Sequence, residues 1–369
     1  MRRRMFIVII SVLVAAFVYL GFRIAGPLYP YPEFFWPVTA AFGLGLANVL
    51  WMPLHFWTSE DPETSALERT LERGAYLALG ALSFLLLFTL ARDLAVLLLL
   101  PFGRSDGLTG PVASAGLLGA TALALAVGIG IALRGPRVVR VEIGAGAAPL
   151  RIVQISDLHV GTWIGRRYVE DVVRKIRALG PIDFLFLTGD IGDGDPKGHV
   201  EDLAPLAGIE TRIGKFSVSG NHEGYWNEAE WNARIRELGF RVLENETAEV
   251  ASPAGPISIH GISDPQADVA RTLATVRPYR YSIFLAHQPH HAEAAIAAGV
   301  RLQLSGHTHQ GQFLPWNLFI RKIHRFAAGL YREGKTSIYV NRGTGFWGPP
   351  VRLGTLSEIT LLEVDLWAD

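Results

Sequence analysis

The chain has no cysteine. That excludes disulfides and thiolate metal sites, so any metal it binds must be held by oxygen and nitrogen. It also lacks a charge bias, with 34 Lys and Arg against 34 Asp and Glu. Residues 1–140 carry 11 basic and 8 acidic side chains (+3), and the remainder carries 23 and 26 (−3). Nucleic-acid binding calls for a basic face, which a mildly acidic C-terminal part does not offer. Internal repeats and low-complexity tracts are absent too.

Half of the 369 residues are hydrophobic, and the excess is unevenly spread. Nearly all the long apolar runs lie before residue 140. Four of them, Met5–Phe22, Trp36–Trp57, Gly74–Phe102 and Val112–Leu133, each reach the roughly 20 residues a helix needs to cross a bilayer. The first follows Arg2, Arg3 and Arg4 like a signal peptide, but its length and the three further runs predict an uncleaved span. The third contains Arg92-Asp93, a charged pair expected near one end of a tilted helix or facing the bundle as an ion pair. With the N-terminus inside, the inner loops hold Arg2, Arg3, Arg4, Arg69, Arg73, Arg134, Arg137 and Arg140, and the outer loops Arg23 and Arg104. The excess of positive charge inside predicts a multi-pass protein, placed in a bacterial inner membrane, with its C-terminal domain cytoplasmic. The expected division is a helical transmembrane domain over 1–135, a linker over 136–149 and a second domain over 150–369.

From Leu150 the pattern changes. "LRIVQIS", "IDFLFLTGD", "KFSVSGNHE", "PISIHGISD", "YSIFLAHQP" and "VRLQLSGHTH" are apolar runs that end in polar residues, as buried strands do. "GRRYVEDVVRKIRALG" places Tyr168, Val172, Ile176 and Leu179 at helical spacing and stops on glycine. Strands alternating with helices, followed by the β-rich "TSIYVNRG" and "SEITLLEVDL", predict an α/β domain with a sheet sandwich between helical layers.

Sites in open α/β sheets gather at strand ends. Here the strand ends carry Asp157 and His159, then Asp190 and Asp193, then Asn221, His222 and Glu223, then His287, then His307 and His309. Each group alone is common in loops. All five in order, each at the end of a predicted strand, are not. Oxygen and imidazole without sulfur suit Zn, Mn or Fe and do not resemble a calcium cage.

The run DLH, GDIGD, GNHE, AH and GHTH resembles the signature of the calcineurin-like metallophosphoesterases, D-x-H, G-D-x-x-D, G-N-H-[DE], H and G-H-x-H. The resemblance covers residues 148–365. The tail "YVNRGTGFWGPPVRLGTLSEITLL" is similar to a membrane-associated bacterial branch, with Ser357 where that branch usually carries proline. The resemblance implies a four-layer αββα sandwich and a hydrolase of phosphodiester, pyrophosphate or phosphomonoester bonds. It also implies two divalent metal ions, with Asp157, His159 and His309 on the first, Asn221, His287 and His307 on the second, and Asp190 bridging them. A bridging hydroxide would attack phosphorus. His222 would lie by the leaving oxygen as general acid, with Asp190 and His222 as the catalytic pair. Asp193 and Glu223 would orient ligands or His222. His199, His260, His290, His291 and His324 have no motif role; His290 and His291, close to His287, are the exceptions to watch.

After GHTH, "QFLPWNLFIRKIHRF" mixes Phe313, Trp316, Leu318, Phe319, Ile320 and Phe326 with Arg321, Lys322 and Arg325, a membrane-interface composition. With Phe346 and Trp347, it predicts loops that face the bilayer and admit a lipid-linked phosphate ester or pyrophosphate. The competing reading is a transporter or sensor whose phosphoesterase-like domain regulates or scaffolds. Arg92-Asp93 alone is too little polarity for a substrate pathway.

Overall fold

The computed structural model describes residues 2–58, 65–144, 150–253, 255–277 and 281–365. It divides into two compact units.

The helical unit comprises Met1–Gly130 and Gly348–Leu353. Helices α1 (Arg2–Leu20), α2 (Pro32–Thr58), α3 (Ala66–Leu99) and α4 (Pro111–Leu133) carry four candidate membrane spans, as expected from the apolar runs. Ser65 and Glu68 close a capping box at the start of α3, which satisfies its first free N–H groups. Asp93 is surrounded by donors. Arg92 Nε donates to it at 2.7 Å, Arg23 at 2.5 and 2.7 Å, and the Tyr19 hydroxyl at 2.5 Å. The charged pair is therefore an ion pair turned into the bundle, enlarged by Tyr19 of α1 and by Arg23 just beyond it. Unpaired, either charge would be costly in lipid.

The second unit is built on two six-stranded sheets. In chain order its strands are β1 (Arg137–Ile143), β2 (Leu150–Ile155), β3 (Phe184–Thr188), β4 (Gly214–Val218), β5 (Arg241–Val242), β6 (Glu246–Ser252), β7 (Gly255–Gly261), β8 (Tyr281–Leu285), β9 (Leu302–Ser305), β10 (Gly329–Glu333), β11 (Thr336–Val340) and β12 (Glu358–Val364). One sheet has the order β1-β12-β2-β3-β4-β5, the other β10-β11-β9-β8-β7-β6. The helices are α5 (Arg166–Arg177), α6 (Val200–Leu203), α7 (Asn221–Tyr225), α8 (Glu228–Glu237), α9 (Val269–Leu273), α10 (Ala292–Ala298) and α11 (Trp316–Ile323).

Side chains alternate across a strand, and the apolar runs serve two cores at once. Phe184 and Phe186 of β3 join Ile283 and Leu285 of β8 and Leu302 and Leu304 of β9 between the sheets. Leu185 and Leu187 point the other way, onto Val169, Val172 and Ile176 of α5 and Trp231 of α8. Phe284 faces out from the second sheet, onto Leu273 of α9 and Ala295 of α10. Helix, sheet, sheet and helix form the expected αββα sandwich.

One expectation is corrected. Arg137–Ile143, read as linker, is strand β1, paired in parallel with β12 from Arg137↔Glu358 to Ile143↔Val364. "RVVRVEI" is an alternating edge strand whose exposed positions made it look like a connector. The rest of that linker, 145–149, and residues 366–369 lie outside the described residues.

Candidate metal centre

Strands β2, β3 and β4 are parallel neighbours in one sheet, and β8 and β9 are parallel neighbours in the other. The five polar groups therefore leave the same edge of the sandwich. The two sheets are tied together just beneath them. Gln154 Nε2 of β2 donates to Thr188 Oγ1 at 2.8 Å and, across the sandwich, to the Ser305 carbonyl at 3.0 Å. His287 Nδ1 lies 2.8 Å from the Thr188 carbonyl. At Gly306 a Cβ would stand 2.0 Å from Ser156 Oγ and 2.2 Å from Asp157 Oδ2, so only glycine lets the GHTH loop meet the DLH loop.

The backbone is strained where the donors sit. Asp157 (φ 52°), His159 (φ 50°), Asp190 (φ 51°), His307 (φ 71°) and His309 (φ 47°) all occupy the left-handed region that side chains avoid. Such strain persists only where the surroundings impose it, and it clusters at functional sites. It also explains how His307 and His309 diverge. Strand β9 ends at Ser305, and both histidines lie on the turn beyond it.

Three groups of donors converge: Asp157, His159 and His309; Asp190, His287 and His307; and His159, Asp190 and His222. In the first, His309 Nε2 is 3.2 Å from Asp157 Oδ1 and 3.1 Å from His159 Nε2. In the second, His287 Nε2 is 3.0 Å from Asp190 Oδ2. That same oxygen is 3.9 Å from Nε2 of both His159 and His222. The other Asp190 oxygen accepts from the His222 backbone N–H at 2.9 Å. Asn221 comes with α7 beside them, its Oδ1 buried and without a partner among the described residues.

The electrostatics call for cations. Asp157, Asp190 and Glu223 are buried, and so is much of Asp193. Burial opposes charge on Asp157, but His309 and His287 outweigh it and hold its carboxyl below the usual range. Asp190 is likewise held low against burial by His287 and His222. Burial and the neighbouring His287 push His307 down to about 3, which keeps its lone pair free to ligate. His287 is driven the other way. Burial disfavours its cation, and Asp190 and Asp157 override that. If its Nδ1 donates to Thr188, its Nε2 faces a carboxylate at 3.0 Å without hydrogen-bond alignment. Either a proton or a metal cation must stand between them. The orphaned Asn221 Oδ1, the outward Nε2 atoms and a wholly O/N donor set fit a divalent ion.

His222 differs in its pairing. Its Nδ1 contacts Asp193 Oδ1 at 2.5 Å, and His159 Nδ1 contacts the same oxygen at 3.1 Å. One carboxylate thus orients two rings, the job expected of Asp193. Burial lowers the His222 pKa, but Asp190 and Asp193 together raise it, to about 9. Glu223 departs from its expected role. Its carboxylate accepts from the backbone N–H of Asp190 at 3.0 Å, Ile191 at 2.6 Å and Gly220 at 2.6 Å. It clasps the two loops and does not orient a histidine.

The carboxylate and histidine candidate ligands are brought together, with His222 among them. His290 and His291 lie against each other at 3.9 Å between ring centroids, tilted by 40°. His324, given no special place by its sequence position, comes within 5.7 Å of the His307 ring. His260 is buried in β7 and bonded to Thr247. Sequence reasoning missed Arg342 and Glu358. Arg342 Nε donates to Gln310 Oε1 at 2.7 Å and its Nη1 to Glu358 at 2.5 Å, which fixes the loop behind His309. A buried glutamate opening an apolar strand was the available signal.

A profile described as calcineurin-like phosphoesterase matches residues 150–311. The chain is 31% identical over 357 residues to a Bos taurus transmembrane protein with metallophosphoesterase domain, covering 89% of this chain and 80% of that protein. It is 32% identical over 358 residues to a Danio rerio protein of the same description, with the same coverage. A Campylobacter jejuni metallophosphoesterase is 30% identical over 296 residues, covering 76% of this chain and 78% of that one. The chain belongs to the calcineurin-like metallophosphoesterases. It is a hydrolase of phosphate esters, with candidate membrane spans ahead of its metallophosphoesterase domain.

Proposed function

We propose that the protein is a membrane-anchored, two-metal phosphoesterase. Asp157, His159 and His309 would hold one ion and Asn221, His287 and His307 the other, with Asp190 shared between them. The supporting observation is the single oxygen Asp190 Oδ2, 3.0 Å from one imidazole nitrogen and 3.9 Å from two more. Two divalent ions bound there, of Mn, Zn or Fe character, supply an acidified water and neutralise the phosphate oxygens. The protein does the rest. The strained loops fix the donors in place before substrate arrives, so little reorganisation is left for the reaction. His222, held protonated by Asp190 and Asp193, stands ready to give its proton to the leaving alkoxide as the phosphorus–oxygen bond breaks. Water supplies the new oxygen on phosphorus, and its proton returns to solvent.

The excess of arginine in the predicted inner loops supports a cytoplasmic catalytic domain. A hydrolysis panel on purified full-length protein tests the chemistry, with Mn, Zn or Fe after chelation. It compares nucleotide monoesters, a generic diester and a pyrophosphate. Activity that needs added metal and disappears in Asp190→Ala is the expected result. Activity surviving that substitution would overturn the scheme.

A further inference from the structure

Helix α11 buries none of its eight residues. Trp316, Phe319, Ile320 and Ile323 follow the i, i+3, i+4, i+7 spacing of a single face. Trp316 is 50% exposed, Phe319 46% and Ile323 72%. The aromatic-rich segment is thus split by the fold. Phe313, Phe326 and Phe346 are core residues, contrary to the lipid-facing role expected of them, and the residues of α11 are not. Arg321 and Lys322 are exposed on the same helix, with no carboxylate partner among the described residues.

The helix is fixed to the metal centre at both ends. Gly311, two residues beyond His309, lies so close to Trp316 and Asn317 that a Cβ there would meet their backbone at 2.6 Å. At the other end, His324 follows Ile323 and its ring lies 5.7 Å from His307. Trp347, 49% exposed, stands 5.7 Å from the His222 ring, and its backbone is locked to the Gln312 side chain by two bonds of 2.8 Å. Apolar surface therefore flanks the site on the His307 side and on the His222 side.

An exposed apolar face rimmed by cations signals an occupant. Three residues, 134–136, separate the end of α4 from β1, a tether that leaves the domain at the bilayer whatever its orientation. Trp and Phe beside Arg and Lys suit the zone between anionic headgroups and acyl chains. We propose that α11 seats its Trp316, Phe319 and Ile323 face in the interfacial zone of the anionic bilayer that holds the protein's own spans, and that the substrate is a lipid-linked phosphate ester. The headgroup phosphate reaches the metals over the rim that α11 and Trp347 form. The substrate class rests on the hydrolytic reading above; the docking does not.

Two measurements separate those parts. The chain has no cysteine, so Phe319→Cys and Leu318→Cys each create a unique labelling site. Each full-length variant is labelled with an environment-sensitive fluorophore in nanodiscs of phosphatidylcholine and phosphatidylglycerol. The label at 319 shifts to the blue and is quenched by brominated acyl chains, while the label at 318, off the apolar face, stays aqueous. Equal, aqueous signals at both positions would overturn the docking and leave the face to a protein partner. The second measurement replaces Trp316, Phe319 and Ile323 with serine. The expected loss in kcat/KM is about tenfold or more on dioleoyl phosphatidic acid and phosphatidylglycerol, and less than about twofold on bis(p-nitrophenyl) phosphate. Equal losses on lipid and soluble substrate, or a wild type that cleaves only the soluble diester, would sink the substrate class. A wild type inactive on every substrate would sink the hydrolytic scheme instead, with the label result standing on its own.

Discussion

At the Asp157 position the donor atoms are partnered with one another; at the Asp190 position two buried atoms, His287 Nε2 and Asn221 Oδ1, have no hydrogen-bond partner among the described residues. His309 Nε2 meets both Asp157 and His159 within 3.2 Å, and Asp157 also accepts from the His307 backbone N–H at 2.9 Å. Each of these atoms has a close partner within its own group. Around Asp190, His287 Nε2 and Asn221 Oδ1 are buried without aligned partners. Leaving such atoms unmet costs about 1–3 kcal/mol each. The difference teaches that the unmet atoms gather around Asp190, which makes the proposed second position the one with the stronger need of an ion.

The largest effect is expected at Asp190. Asp190→Ala removes the oxygen proposed to join the two positions, which lies 3.0 Å from His287 Nε2 and 3.9 Å from the Nε2 atoms of His159 and His222. Metal content measured by plasma mass spectrometry should fall at both positions, and kcat/KM should drop by about three orders of magnitude. Retention of one full equivalent of metal would mean that the positions are independent.

The pair of single ligand substitutions sharpens the comparison. His309→Ala should empty the Asp157 position, and His307→Ala the Asp190 position, each leaving close to one equivalent bound. The stronger need at Asp190 predicts that His307→Ala costs more thermal stability in the metal-loaded protein. Equal depletion in both variants would show one shared cluster instead of two positions.

How much of this was legible beforehand differs by feature. The strand-end donors were readable because a strand buried on both faces is a largely apolar run, and the charged residue that follows marks its end, as Asp190 does after "FLFLTG". The candidate spans were readable from the length and apolar composition of their runs. Strand β1 was not, because "RVVRVEI" at a sheet edge alternates with arginine and resembles a connector. Nor were the positive φ angles at Asp157, His159 and Asp190, since only tertiary contacts impose a conformation those side chains disfavour. The split of the aromatic segment into buried Phe313 and exposed Phe319 depends on where α11 begins, a local choice that composition does not record.

His222 lies beside both positions and tests whether it belongs to either. Its Nδ1 is committed to Asp193, and its ring is raised to about 9 by Asp190 and Asp193 against burial. As a general acid it works while protonated, so activity falls as pH rises through that pKa. Cations next to Asp190 offset that carboxylate, which puts the limb of the active enzyme at or below about 9. His222→Asn should retain both metals, lose about 100-fold in kcat and lose the alkaline limb. A variant that loses metal instead would make His222 a ligand, as its grouping with His159 and Asp190 allows.

The smallest effect is expected from a residue outside the candidate ligand set. Glu223 accepts backbone N–H groups from Asp190, Ile191 and Gly220 with both its oxygens. Glu223→Gln keeps the shape but turns one oxygen into an amide that faces those same donors. One side of the clasp is then unmet, at about 1–3 kcal/mol. The melting temperature should fall in both metal-free and metal-loaded protein, because the defect lies in the loops. Metal affinity at the Asp190 position should weaken more than at the Asp157 position, since Asp190, alone among the candidate ligands, donates its backbone N–H to this carboxylate. If both affinities fell alike, the clasp would be serving the whole edge of the sandwich, and the contrast between the positions would have to rest on their ligands alone.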